Sequence, residues 1–314
     1  VGTMYLEHYG LREFPFSLTP DTQYFFGYGH YRDALDTLMV ALAGGEGFIK
    51  VTGEVGTGKT LLCRKLLNTL DRGAFYSAYI PNPYLTPPAL GLALAEELGL
   101  ELARNVGQHR AMKEVTRRLI QLHAEGKQVV LLIDEAQAMP GETLEALRLL
   151  TNLETEKRKL LQVVLFGQPE LDERLDERVN RQLRQRITFS YRLAPIDRQG
   201  MEAYVNHRLL VAGAKGNLRF EAEALDALHQ FSRGIPRLVN ILSHKALLAG
   251  YGQGVRDISK RHVEMAAQDT EDVHKHKAAG GQRWLVVLAV IAIIVLAALA
   301  WWLGQPWYAE SQQP

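Results

Sequence analysis

Cysteine is almost missing from this chain: Cys63 is alone among 314 residues, so no internal disulfide can form and the folded body is expected in a reducing compartment. A lone thiol of this kind reads as a small buried apolar residue. Metal-ligand spacing is also lacking. His274 and His276 stand in a polar stretch, and His207, His229, His244 and His262 are scattered, which leaves no transition-metal site. Charge of one sign is absent too, since 36 basic residues face 35 acidic ones for a net of +1. That balance exerts no strong pull toward nucleic acid, although a local basic patch is compatible with it. The opening residues lack the form of a signal peptide, because Glu7, His8, Arg12 and Glu13 interrupt any apolar run. Val1 fits an alternative start codon, with Met4 the expected start, and the body is expected to stay on the cytoplasmic side.

What is present is ordinary globular composition, 47% hydrophobic and 23% charged, with an apolar excess toward one end. Residues 1–27 are aromatic-rich and read as an N-terminal flap closed by the turn signal Thr19-Pro20-Asp21. A helical pattern follows from Tyr31 to Ala43, stopped by Gly44, Gly45 and Gly47. Strands are predicted at Phe48–Thr52, Phe75–Ile80, Val129–Ile133, Gln162–Phe166 and Ile187–Tyr191. Between them lie helical patterns such as Ala111–Ala124 and Thr143–Leu153. The run 129–133 has no polar alternation, as in a parallel strand covered on both faces. Strands alternating with helices predict an α/β core with a parallel five-stranded sheet between helices, over residues 28–195. Lys50 is the one charge inside these strands.

After Pro195 the pattern turns wholly helical, at Arg198–Val211, Ala222–Ser232, Arg237–Gly250 and Lys260–Gln268, which predicts an all-α domain over 196–268. Residues 269–283 read as a linker. Residues 284–303 carry no charge and at about 1.5 Å per residue span about 30 Å, the length of a transmembrane helix. Trp284, Trp301 and Trp302 fall at its two interfaces, and Lys275, Lys277 and Arg283 precede it. The positive-inside rule then places a single pass in a bacterial inner membrane, with the body in the cytoplasm and a tail, 304–314, outside.

The chemistry begins at Gly53-Glu54-Val55-Gly56-Thr57-Gly58-Lys59-Thr60, which fits G-x-x-x-x-G-K-[ST]. Glycines let backbone N–H groups curl around phosphates. Lys59 would neutralise the β and γ oxygens of ATP, and the Thr60 hydroxyl would ligate Mg²⁺. A helix N-terminus after the loop adds a favourable field for an anion. Asp134 and Glu135 end the apolar strand. An Asp so placed orients Mg²⁺, and Glu135 beside it can act as general base toward water.

Asp134-Glu135-Ala136-Gln137, Leu147-Arg148-Leu149-Leu150-Thr151-Asn152-Leu153-Glu154, Gly167-Gln168-Pro169-Glu170-Leu171 and Gly234-Ile235-Pro236-Arg237 resemble the ExeA/GspA family of AAA+ ATPases. Tyr5 to Thr22 and Gly47 to Leu67 are most similar to its MSHA-type pilus-biogenesis members. The resemblance covers about residues 4–270. It implies a three-layer AAA+ core, a C-terminal all-α lid and a role in assembling type IV pilus or type II secretion machinery. It also implies Gln168 as a sensor of the γ-phosphate and Arg237 as a lid arginine closing on the nucleotide. Arg186, or else Arg184, would be an arginine finger reaching a neighbouring subunit of a homo-oligomeric ring. Because Arg178, Arg181, Arg184 and Arg186 crowd together, a solvated basic face is the other reading of that stretch. Family members with a long cell-wall-binding region contrast with the 304–314 tail, so a shorter, pilus-type relative is expected.

The resulting expectation is a membrane-anchored ATPase, partnered by a membrane protein of a pilus or secretion complex. A nucleic-acid-dependent ATPase of the transposition-helper type is the alternative that the basic run 178–186 motivates, opposed by the near-neutral charge and the apolar span. A nucleotide-gated scaffold with slow turnover is a further one, opposed by the intact Glu135.

Overall fold

Backbone polar groups in a buried segment need partners within the protein, and apolar stretches with period two or 3.6 meet that need as strands or helices. In chain order the first elements are α1 (Gly2–Tyr9), α2 (His30–Ala43), β1 (Phe48–Thr52), α3 (Lys59–Thr69), β2 (Phe75–Ile80), α4 (Pro87–Glu97) and α5 (Gln108–Ala124). Next come β3 (Gln128–Ile133), α6 (Gly141–Leu150), β4 (Leu161–Gly167), α7 (Glu170–Asp176), α8 (Arg181–Arg186) and β5 (Ile187–Arg192). The remainder is α9 (Arg198–Val211), β6 (Arg219–Phe220), α10 (Ala222–Ser232), α11 (Pro236–Gly252), β7 (Asp257–Ile258) and α12 (Lys260–Gln268). This computed structural model describes residues 2–102, 107–154 and 159–270.

The five long strands pair in parallel in the order β2-β3-β4-β1-β5. Alternate side chains serve two cores. Val130, Leu132, Val164, Phe166, Ile49 and Val51 point to the face covered by α2, α3 and the C-terminal helices. Val129, Leu131, Ile133, Leu161, Val163 and Leu165 point to the face covered by α4, α5 and α6. Cover on both sides is why β3 reads as an unbroken apolar run over 129–133 and β4 over 163–166. Lys50 is reconciled with β1 by an ion pair to Asp172 at the start of α7. Gln162, buried in β4, donates from Nε2 to the carbonyls of Leu42 (3.1 Å) and Glu46 (3.0 Å), tying the end of α2 to the sheet.

The region after Pro195 is not wholly helical. β6 and β7 form a short parallel pair, with Arg219 and Asp257 joined at 2.7 Å; two-residue strands are too short to show a period. α6 stops at Leu150 rather than Leu153, where the Thr151 hydroxyl closes the turn on the Arg148 carbonyl at 2.8 Å. The aromatic N-terminal stretch contains α1 and packs on the C-terminal helices. Tyr5 and Tyr9 are buried, and the Tyr9 hydroxyl donates to the Leu247 carbonyl at 2.8 Å.

The single-pass placement in the inner membrane does not hold. Among the described residues no helix is long and apolar enough to cross a bilayer. The longest, α5 and α11, have 17 residues each, short of the roughly 20 apolar residues a span needs. Segment 284–303, to which the span was assigned, lies outside the described residues, as do the linker from 271 and the tail 304–314.

Candidate active site

Parallel strands deliver their carboxyl ends to one edge of a sheet, where an open α/β fold places its ligands. Here Thr52 of β1 lies beside Gly167 of β4, and Ile133 of β3 beside Leu165 of β4. The residues that follow these strands, Gly53, Asp134 and Gln168, are therefore neighbours by register alone.

The loop after β1 needs its glycines for specific reasons. Gly56 (φ +81°) and Gly58 (φ +90°) occupy the left-handed region, the backbone conformation that lets a loop present N–H groups to an anion. At Gly56 a Cβ would also lie 2.7 Å from Arg237 Cβ, and at Gly53 one would lie 2.8 Å from Thr57 Oγ1. Thr57 is buried; its hydroxyl donates to the Glu54 carbonyl at 2.8 Å, and its carbonyl accepts from the Tyr31 hydroxyl at 2.9 Å. Thus the cradle is shaped by the loop itself and braced by α2.

Lys59 opens α3 and is only 5% exposed. Its Nζ donates to the carbonyls of Gly53 (2.8 Å) and Glu54 (2.9 Å), which leaves one ammonium hydrogen without a protein acceptor on that loop. Burial holds this ammonium below the ordinary lysine range, against the opposing pull of Glu135 and Asp134. A desolvated cation at the rim of a nest of N–H groups is a receptor for an anion.

One residue on, the Thr60 hydroxyl donates to Asp134 Oδ2 at 2.6 Å, and the Glu135 N–H donates to Asp134 Oδ1 at 2.9 Å. Asp134 is 2% exposed, and burial pushes its carboxyl above the usual range despite those two donors. The pair supplies two hard oxygens, the donor type Mg²⁺ prefers. No cluster of three or more metal-ligating side chains occurs among the described residues. The fit is therefore to a Mg²⁺ whose other ligands are phosphate oxygens and water, the usual arrangement for that ion.

Glu135 has left-handed backbone (φ +51°, ψ +37°), uncommon for a residue with a side chain. Its Oε2 accepts from Gln137 Nε2 at 2.5 Å and from Gln168 Nε2 at 3.2 Å. Gln137 in turn accepts the Gln168 N–H on Oε1 at 3.0 Å.

Lys59, Thr60, Glu135 and Gln168 line a cavity of about 370 Å³. Its floor is the loop from Val55 to Thr60, with Glu135 and Gln168 at one end. Its far wall is Ser17 to Pro20 together with Tyr204, Arg208 and Asn240. Arg237 lines it as well, and its N–H donates to the Gly56 carbonyl at 3.1 Å, so α11 is bonded directly to the phosphate-type loop. Arg184 and Arg186 stand elsewhere. Arg184 is exposed and paired with Asp176 at 2.6 Å, and Arg186 closes α8 just before β5.

Several site residues escaped the sequence reading. Arg208 is 4% exposed, spanning from α9 to the N-terminal segment through Nε to the Pro15 carbonyl (2.6 Å) and Nη2 to the Ser17 carbonyl (3.1 Å). Its guanidinium lies 4.6 Å from the Tyr24 ring centroid, and the Tyr204 hydroxyl bonds Asn240 Oδ1 at 2.9 Å. An arginine in an amphipathic helix is ordinarily a surface residue, so nothing in the local pattern marked it. Gln137 did carry a signal, its place three residues after Asp134.

Comparison with known proteins agrees with this geometry. Residues 42–175 match the family model described as an AAA domain. The chain is 40% identical over 299 residues to General secretion pathway protein A of Aeromonas hydrophila, an alignment covering 95% of this chain and 54% of that protein. It thus spans about half the length of the curated relative it matches. In fold it is similar to Cdc6p from Pyrobaculum aerophilum (TM-score 0.63, 18% identity, 81% of this chain and 70% of that one). The ORC2 protein of Aeropyrum pernix, solved in ADPNP-ADP complexes, is similar as well (TM-score 0.59, 16% identity, 77% of this chain and 67% of that one). At such identities the likeness is one of fold: a P-loop AAA+ α/β fold with a parallel five-stranded sheet.

Proposed function

The chain belongs to the ExeA/GspA-type AAA+ family, and from that premise we propose that it binds ATP with Mg²⁺ and hydrolyses it to drive assembly of type II secretion or type IV pilus machinery. The observation that carries the chemical part is the meeting of Lys59, the Thr60–Asp134 bond and Glu135 at the ends of β1 and β3.

Lys59 exchanges its two loop carbonyls for β and γ oxygens, joined by N–H groups of the loop around Gly56 and Gly58; those of Gly53 and Thr57 are held by the Gly167 and Glu54 carbonyls. Thr60 and Asp134 are the protein ligands that would hold Mg²⁺, which when bound neutralises phosphate charge. Glu135 takes a proton from a water whose oxygen attacks the γ-phosphorus. The bond from that phosphorus to the bridging oxygen breaks, and ADP and phosphate leave. Gln168 reads the γ-phosphate from the end of β4. Residues 196–268 act as a lid that brings Arg237 over the nucleotide. Arg186, with Arg184 as the other candidate, serves the site of a neighbouring copy in a ring. Mechanical output passes to a partner protein of the machinery.

Steady-state phosphate release by wild type, Lys59→Ala and Glu135→Gln tests the assignment. Both variants are expected to fall by at least about a hundredfold, the scale of losing general-base or phosphate stabilisation. Equal rates in all three would remove it.

A further inference from the structure

Gln137 has no role in the reaction as proposed so far, yet it makes the shortest hydrogen bond to the candidate general base. Its amide is used at both ends: Nε2 donates to Glu135 Oε2 at 2.5 Å, and Oε1 accepts the Gln168 N–H at 3.0 Å. A carboxylate must be met by a donor and a backbone N–H by an acceptor, so the orientation of this amide is settled by its partners. Few side chains offer both functions on one planar group.

Two backbone features make room for the bridge. The left-handed turn at Glu135 bends the chain into a short 3-10 turn, Ala136–Ala138, returning residue 137 alongside residue 135. A Cβ at Gly167, the last residue of β4, would lie 2.7 Å from Leu171 Cδ2 and 3.3 Å from Gln137 Oε1, so the missing side chain leaves room for α7 and for the amide together. Gln168 Nε2 reaches the same carboxylate oxygen at 3.2 Å, so Gln137 locks together the ends of two strands, β3 and β4, at the carboxylate of the candidate base.

We infer that Gln137 is a positioning residue for hydrolysis: its carboxamide fixes the Glu135 carboxylate to the end of β4 and thereby aims it at the attacking water. This rests on the ATPase reading above. Gln168 can leave the carboxylate to meet a γ-phosphate while Gln137 still holds it. Misplacing a catalytic group by about an ångström costs up to about a hundredfold in rate, and nucleotide affinity, set by the loop after β1, does not depend on this aim.

The test uses the full chain, measuring phosphate release and the affinity for a fluorescent ATP analogue. Gln137→Ala is expected to lower kcat about tenfold to a hundredfold and to leave affinity within about twofold. In a Glu135→Gln background the same change should have no further effect, because the group it aims is gone. Gln137→Glu keeps size and the acceptor for Gln168 but puts a second carboxylate against Glu135. Its activity relative to wild type should be low at pH 8 and rise as pH falls, since protonation of the introduced carboxylate restores a donor toward Glu135. A Gln137→Ala rate within about twofold of wild type, a Gln137→Glu ratio flat with pH, or an equal loss in both backgrounds would overturn the inference while leaving the ATPase reading intact. Failure of Glu135→Gln to slow hydrolysis would overturn the ATPase reading itself.

Discussion

Lys59 and Asp134 are each buried with their charges opposed by desolvation, and each is held by neutral partners: two carbonyls for the lysine, a hydroxyl and an N–H for the aspartate. The two charges attract one another through space, yet each keeps neutral hydrogen-bond partners, so the cradle is tuned for a polyanion and a cation at the expense of the free protein. The sign for Asp134 follows from its raised folded-state value. Below the ordinary carboxyl range it is protonated folded or unfolded and costs nothing. As pH rises, the unfolded chain ionises first, and stability is lost until the folded group ionises too. Asp134→Asn should therefore stabilise the nucleotide-free protein at neutral pH by about 0.5–2 kcal/mol. That gain should shrink as pH is lowered through the carboxyl range. Urea midpoints across pH check this, and a destabilised variant at pH 7 would contradict it.

At the scale of elements, the link between the sheet and α11 turns on Gly234. With φ +73°, it brings its backbone so near β5's continuation that a Cβ would lie 1.9 Å from the Ile196 carbonyl oxygen, while its own carbonyl accepts the Ile196 N–H at 2.8 Å. Pro236 then starts α11, and the next N–H reaches Gly56. Gly234→Ala combines left-handed strain with a backbone clash and should cost about 2–4 kcal/mol. It should also weaken nucleotide binding, because it displaces Arg237. An unchanged midpoint in denaturant would refute this use of the glycine.

The long elements were legible because each shows its period clearly. All five strands sit within a residue or so of the positions predicted from Phe48–Thr52 to Ile187–Tyr191, and α9, α10 and α12 match residue for residue. The glycine-rich loop, Asp134 and Glu135 were legible because their chemistry is local in sequence. Arg208, Tyr204 and the Ser17–Pro20 wall were not, since they join the cavity only when α9 folds against a segment some 190 residues away. α7 and α8 are too short for a period to register, and the charged face of α8 obscured them.

At the scale of the molecule, the cavity is bounded by three parts of the chain: the N-terminal segment, the sheet edge and the C-terminal helices. Arg208 ties the first to the third, and Arg237 ties the third to the loop after β1. A ligand filling that space touches all three, so occupancy can bias how they sit together. In the function proposed above this is the route from turnover to a partner, and it requires that triphosphate bind where Lys59 stands. Titration calorimetry of the full chain with a non-hydrolysable ATP analogue and Mg²⁺ measures that requirement directly. Binding of one analogue per chain in wild type, abolished by Lys59→Ala, is the predicted result. No detectable binding to wild type, or equal binding by the Lys59→Ala variant, would contradict it.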